Sequence, residues 1–155
     1  MEEIVIIQDY VAELYPFTAG ELDFFKEDLN FTYVSLNRKI DWNYALIKEF
    51  EEFWDWKVLD TNQIVFDRIT LGLLFPNRIE LRKCNCWRKD DLCEDAKCQV
   101  NMNRLKRIFR YDKIYLRLIT ICEIGLLDDE ILFELYKNDN IGLVQDLIDS
   151  FSSGY

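Results

Sequence analysis

The feature that most constrains the fold is a short pattern that occurs three times between residues 17 and 71. In each copy a helix-capping residue directly follows an aromatic one, and an aliphatic residue lies five positions after the aromatic. The copies are Phe17-Thr18…Leu22, Trp42-Asn43…Ile47 and Phe66-Asp67…Leu71. This arrangement is typical of a helix N-terminus with a capping side chain and a hydrophobic staple. The sequence therefore predicts three short helices in succession.

The first two copies belong to a longer internal repeat. Residues 17–37 superpose on residues 42–62 with an offset of 25 positions, and Phe25/Phe50, Glu27/Glu52 and Asn37/Asn62 are identical pairs. The third copy comes one residue early, and Pro76 interrupts it. Because a free-standing solenoid usually needs more repeats, we expect a short helical stack whose ends are covered by other parts of the chain.

The tryptophan spacing resembles a known type of repeat. The box Trp54-Asp55-Trp56-x-x-Leu59-Asp60-x-Asn62, with Ile40-Asp41-Trp42-Asn43 before it, is similar to the W-D-W-x-x-L-S-x-N tryptophan-rich short repeats of uncharacterised bacterial proteins. The resemblance covers residues 15–71. Asp60 stands where those repeats favour Ser, and Asp41 stands where they favour Pro. The resemblance implies an interaction scaffold and transfers no catalytic residue.

Helical periodicity continues outside the repeats. Ile4, Ile7, Val11 and Leu14 form one stripe of a helix over residues 2–15, although Ile4–Ile7 alone could be a strand. The apolar run 113–124 is predicted to be buried all round, and its β-branched content leaves both helix and strand open. Gly125 is expected to end that run, and Asp128 is expected to cap the next helix.

These patterns predict a mainly α fold in a single domain spanning residues 1–155. It would consist of short stacked helical repeats (15–71), an irregular cysteine-containing insert (72–100) and C-terminal helices (101–152). Pro76-Asn77 marks a turn at the start of the insert.

The charge is large and unevenly distributed. The formal net charge is -10. Residues 1–67 contribute -10, residues 68–122 contribute +7 and residues 123–155 contribute -7. Either the basic block packs against its acidic neighbours and is neutralised, or the protein presents one acidic and one basic working face.

Some function classes are disfavoured by what the sequence lacks. The chain has no His, which removes the commonest general base, Ser-His and Cys-His nucleophile pairs and every His-containing metal site. No apolar run approaches the length of a membrane-spanning helix, and the acidic start does not resemble a signal peptide. We therefore expect a cytoplasmic protein that does not enter a membrane and is not an enzyme.

A cluster of four cysteines is the candidate metal site. Cys84, Cys86, Cys93 and Cys98 could bind a structural zinc ion, since Zn²⁺ accepts four thiolates. The spacing is not that of paired C-x-x-C motifs. Two alternatives remain open at this point: reduced thiols packed as small apolar groups, and disulfides. Cys122 lies in the apolar run and is expected in the core.

The sequence favours a non-enzymatic protein-protein interaction module. An acidic, aromatic-rich protein is suited to binding a basic partner surface and inhibiting a nucleic-acid-processing enzyme, in the manner of immunity and phage anti-defence proteins. The predicted binding residues are exposed acids of the repeat helices: Glu27, Asp28, Glu49, Glu51, Glu52 and Asp55. One alternative is a nucleic-acid binder that uses the basic block 78–113, although the acidic net charge disfavours nucleic acid. Another is a zinc- or thiol-dependent enzyme. The sequence leaves the oligomeric state open.

Overall fold

The structure is a computed structural model that describes residues 2–79 and 113–152. Within these two ranges the chain forms ten helices and no strand, which confirms the mainly α prediction. In chain order they are α1 (Glu2–Leu14), α2 (Ala19–Phe25), α3 (Phe31–Leu36), α4 (Tyr44–Glu49), α5 (Trp56–Leu59), α6 (Gln63–Arg68), α7 (Leu71–Leu74), α8 (Lys113–Glu123), α9 (Asp129–Lys137) and α10 (Gly142–Ser152). None of these ten helices combines the length and the apolar character needed to cross a bilayer.

Helix α1 has the predicted apolar stripe. Ile7, Val11 and Leu14 are buried in the core, and Ile4 is half-buried. The strand alternative for Ile4–Ile7 is wrong, because the helix includes all of those residues. The helix is favoured because the spacing of three and four residues places Ile7, Val11 and Leu14 on the side that faces the core.

The first two predicted helix starts are confirmed. Thr18 caps α2 in a full capping box, in which the Glu21 amide donates to Thr18 Oγ1 at 3.2 Å and Glu21 Oε1 accepts from the Thr18 amide at 3.0 Å. Asn43 caps α4, and its Oδ1 accepts from the Leu46 amide at 2.9 Å. The aromatic residues before the caps, Phe17 and Trp42, are buried. Local sequence therefore sets where both helices begin.

The third predicted start is wrong. Asn62, not Asp67, caps the helix in this region, and Phe66 and Asp67 both lie inside α6. Asn62 Oδ1 accepts from the Ile64 amide at 3.0 Å and from the Val65 amide at 3.4 Å. Because an earlier cap has already started the helix, Asp67 has no free helix end to bind.

The repeats stack side by side with the spacing seen in the sequence. Helix α3 packs against α1 on one side and against α5 on the other. The first residues of α3 and α5, Phe31 and Trp56, are 25 positions apart, as are those of α2 and α4, Ala19 and Tyr44. The 25-residue offset is therefore a structural repeat as well as a sequence repeat.

Two buried asparagines join the stacked units through backbone carbonyl groups. Asn37 Nδ2 donates to the carbonyl oxygens of Ala12 at 2.9 Å and Tyr15 at 2.7 Å. Asn62 Nδ2 donates to those of Asn37 at 2.8 Å and Ser35 at 3.1 Å. Ala12, Asn37 and Asn62 are separated by 25 residues each, so the same bond connects successive units. We call this arrangement the asparagine ladder.

The tryptophans pack between the units rather than facing water. Trp42 and Trp54 are buried, with ring centroids 5.0 Å apart, and Trp56 is half-buried. Each indole donates to a backbone carbonyl oxygen: Trp42 to Asn37, Trp54 to Ile47 and Trp56 to Glu51. Burial of an indole requires such a partner for its N–H group. These three tryptophans are therefore structural.

The C-terminal helices cover α1. Helix α8 packs against α1 and α10, and α9 packs against α10. The run 113–124 is not buried all round as predicted, because Leu118 and Ile121 face the core while Leu116 is 47% exposed. Helix α8 contacts neighbours on part of its circumference only and leaves the rest to water.

The predicted end of α8, the predicted cap of α9 and the predicted turn at Pro76-Asn77 are confirmed. Gly125 follows α8 with φ of +76°, a conformation that glycine adopts without steric cost. Asp128 caps α9, and its Oδ1 accepts from the Ile131 amide at 2.9 Å. Pro76-Asn77 forms the expected turn. The start of the predicted irregular insert at residue 72 is wrong, because α7 extends to Leu74. From residue 80 onward the predicted insert lies outside the described residues.

Candidate functional site: the acidic turns of the repeat helices

Five of the six predicted binding residues lie in two equivalent turns, and Glu49 directly precedes the second turn. The first acidic turn (residues 26–29) follows α2 and contains Glu27 and Asp28. The second acidic turn (residues 50–55) follows α4 and contains Glu51, Glu52 and Asp55, with Glu49 as the last residue of α4. Glu27 and Glu52 are 25 residues apart and occupy the same position of the repeat. The repeat therefore presents acidic groups at the same helix end in both units.

Arg78 binds the second acidic turn. Its Nε donates to Glu51 Oε2 at 3.2 Å, and its Nη2 donates to Glu52 Oε1. Lys48 Nζ also contacts Glu51 Oε1, at 3.0 Å. Hydrogen bonds from Lys48 and then Arg78 lower the pKa of Glu51, and its bond to Arg78 raises the pKa of that guanidinium. Two neighbouring carboxylates thus hold one guanidinium group.

Two of the predicted binding residues have structural roles. Asp55 caps α5, and its Oδ2 accepts from the Thr32 hydroxyl at 3.2 Å, which joins α5 to α3. Asp28 forms an ion pair with Lys137 of α9 at 2.7 Å. Both carboxylates are satisfied within the fold, so an external ligand would have to compete for them.

Glu27 and Glu49 are the open members of the set. Both are exposed, and within residues 2–79 and 113–152 neither forms an ion pair. Glu49 also lines a groove of about 400 Å³. The groove lies between the equivalent segments that lead into α2 and α4, and its wall includes Thr18 and Asn43. The groove is mixed in charge, since Lys39 and Asp41 line it too.

The candidate metal site cannot be placed. Cys84, Cys86, Cys93 and Cys98 lie outside the described residues, so their zinc ligation stays a prediction. Among the described residues no three His, Cys, Asp or Glu side chains converge in a way that could hold a metal ion. Cys122 is partly buried against the core, and burial raises the pKa of its thiol to about 12. It is therefore a neutral thiol at physiological pH.

The basic block is described only at its ends. Arg78 and Lys113 belong to the described ranges, and the intervening basic residues lie outside them. Arg78 pairs with acidic side chains, as the neutralising interpretation of the charge blocks expects. For the remainder of the block, a choice between neutralisation and a separate basic face stays a prediction.

Two features of this region escaped the sequence analysis. One is the contact of Arg78 with Glu51 and Glu52, which joins residues 26 and 27 positions apart. The other is an exposed pair of stacked rings, Phe24 and Phe133, on α2 and α9. The opposite charges of the neighbouring sequence blocks were consistent with the first contact, but no feature of the sequence predicted that Phe24 and Phe133 would meet.

Comparison with protein-family models, with curated proteins and with solved structures finds no match. The resemblance to tryptophan-rich repeats therefore stays a prediction.

Proposed function

We propose that this protein is a non-enzymatic binding module whose acidic turns bind a basic surface of a partner protein. The contact that carries the proposal is the one between Arg78 and the adjacent carboxylates of Glu51 and Glu52. This contact within the chain shows that the two carboxylates can bind a guanidinium group, and an arginine of a partner protein could bind the same pair of side chains. Charge-assisted bonds of this kind are stronger than neutral ones and favour arginine over lysine.

The exposed carboxylates supply the attraction at longer range. Glu27 and Glu49 extend the acidic region on both repeat units, and the whole chain has a net charge of -10. Such a charge speeds encounter with a basic partner and disfavours nucleic acid. A nucleic-acid-processing enzyme is the partner class that fits best, because its phosphate-binding groove is basic and carboxylates could occupy the phosphate positions. Binding there would inhibit the enzyme.

The test starts with affinity capture from the native host, followed by affinity measurement with the purified partner. We expect a basic protein, and we expect Glu27→Lys with Glu49→Lys to weaken binding by at least about tenfold. The matched control is Asp67→Lys with Asp146→Lys, which changes the net charge equally at exposed sites outside the acidic turns. If the control weakens binding as much, or if neither pair has an effect, the proposal is wrong.

Arg78 gives a second arm of the test. Arg78→Ala removes the internal guanidinium and leaves Glu51 and Glu52 available to the partner. We therefore expect tighter binding, by up to about tenfold, together with a steeper dependence on salt. An unchanged affinity would show that the partner does not contact these two carboxylates.

A further inference from the structure

The aromatic pair Phe24 and Phe133 forms an exposed apolar feature between two helices that are distant in sequence. The rings are stacked, with centroids 6.2 Å apart and planes inclined by 30°. Phe24 is 53% exposed and Phe133 is 44% exposed. Phe24 also packs edge-on against the buried Phe25, so the pair is held in place by the core. Exposed aromatic side chains in fixed positions are typical anchors of protein interfaces.

Phe24 already contacts a cation within the chain. Lys137 Nζ lies 4.8 Å from the centroid of the Phe24 ring while it pairs with Asp28. A cation on a ring face with a carboxylate beside it is a favourable arrangement. The Phe24 ring therefore has the chemistry of a cation site, and about half of the surface of each ring of the pair still faces water.

Acidic side chains flank the pair. Glu130 precedes Phe133 by three residues within α9, a spacing that puts its carboxylate beside the ring on one helical face. Glu27 lies three residues after Phe24, in the turn that follows α2. Both are exposed and form no ion pair in the part of the chain that the structure describes. Asp23 and Asp28 nearby pair with Lys26 and Lys137. The unneutralised charge beside the rings is thus negative.

We infer that the aromatic pair is a docking site for a cationic segment of a partner protein, in which an arginine stacks on the rings and an apolar side chain packs beside it. This inference rests on the proposed function and adds an anchor to the acidic turns, since Glu27 belongs to both surfaces. A second copy of this chain fits poorly, because its own pair is flanked by the same carboxylates and would be repelled. A nucleic acid is repelled for the same reason.

The test uses the full-length protein and two labelled synthetic peptides of equal length and charge, measured by fluorescence anisotropy. One peptide alternates arginine with leucine, and the other alternates lysine with serine. We expect the arginine-leucine peptide to bind at least about tenfold more tightly. Phe24→Ser with Phe133→Ser should remove that advantage. Val5→Ser is the matched control, because Val5 is also 53% exposed and lies on α1.

The outcomes separate this inference from the proposed function. If the serine pair leaves arginine-leucine binding unchanged while Glu27→Lys with Glu49→Lys abolishes it, the aromatic anchor is wrong and the acidic turns stand. If neither variant has an effect, both proposals fail. Circular dichroism of the serine pair should match wild type, and urea unfolding should show only a partial loss of stability, because the half-exposed rings also pack on each other and on Phe25. Phe24→Tyr with Phe133→Tyr keeps the ring faces and should retain binding. If sedimentation shows that wild type is a dimer and that the double serine variant is a monomer, the occupant is a second copy and the inference is overturned.

Discussion

Replacement of Asn37 by alanine tests the asparagine ladder most directly. The side chain of Asn37 is fully buried and makes four hydrogen bonds to backbone groups. Two are the donations to Ala12 and Tyr15 that join neighbouring units. The other two are accepted by Oδ1 from the amides of Lys39 at 2.7 Å and Ile40 at 3.1 Å. Asn37→Ala removes all four at once and leaves their backbone partners without the side-chain amide.

The expected cost is large compared with the stability of a domain of this size. A net contribution of about 1 kcal/mol for each hydrogen bond gives a loss of about 4 kcal/mol. Native domains are stable by only about 5–15 kcal/mol in total, so the variant should approach the unfolding threshold. Asn62→Ala is expected to have a similar cost, because Asn62 also makes four hydrogen bonds to backbone groups.

The assay is urea unfolding followed by tryptophan fluorescence, since Trp42 and Trp54 are buried in the same stack. Asn43→Ala is the matched control. Asn43 is an exposed cap whose Oδ1 accepts from one amide and whose Nδ2 donates to the Asp41 carbonyl oxygen at 3.1 Å, and replacement of such a cap should cost about 1 kcal/mol. If Asn37→Ala costs no more than Asn43→Ala, the ladder does not hold the units together and the reasoning is refuted.

Three further outcomes follow from local chemistry. Thr18→Ala should lower the free energy of unfolding by about 1 kcal/mol, whereas Thr18→Ser should retain the capping box and the stability. In native protein at pH 8, Cys122 should react with iodoacetamide far more slowly than in urea, as followed by peptide mapping, because burial raises the pKa of its thiol to about 12. Burial raises the pKa of Glu13, which accepts a hydrogen bond from Tyr115, so protonation of Glu13 favours the folded state. The stability it contributes is present at low pH and is lost as the pH rises through the folded-state pKa. The free energy of unfolding of Glu13→Gln, measured with urea, should therefore fall less than that of wild type over this rise in pH. Equal decreases would contradict the raised pKa of Glu13.

The proposed binding residues show what a charge pattern in the sequence can and cannot predict. The sequence identified Glu27 and Glu49 as exposed acids, and the structure exposes both. It also proposed Asp55, which the fold uses as a cap and as a bond to Thr32. Composition cannot separate these cases, because a carboxylate that caps a helix and one that faces water are the same residue type. Only the position of the helix end distinguishes them.

The sequence by itself determined where α2, α4 and α9 begin. Caps such as Thr18, Asn43 and Asp128 act over two or three residues, so the information that specifies them is local and visible in the chain. It also determined the 25-residue stacking interval, because identical residues recur at that spacing.

The tertiary structure decided which signals prevailed and which distant residues meet. Asn62 displaced the predicted cap at Asp67, because its amide serves both as a helix cap and as a bond to the preceding unit. The contacts of Arg78 with Glu51 and of Phe24 with Phe133 arise only when the chain folds back on itself. Such contacts depend on how packed helices are oriented in space, and no periodicity along the chain records that orientation.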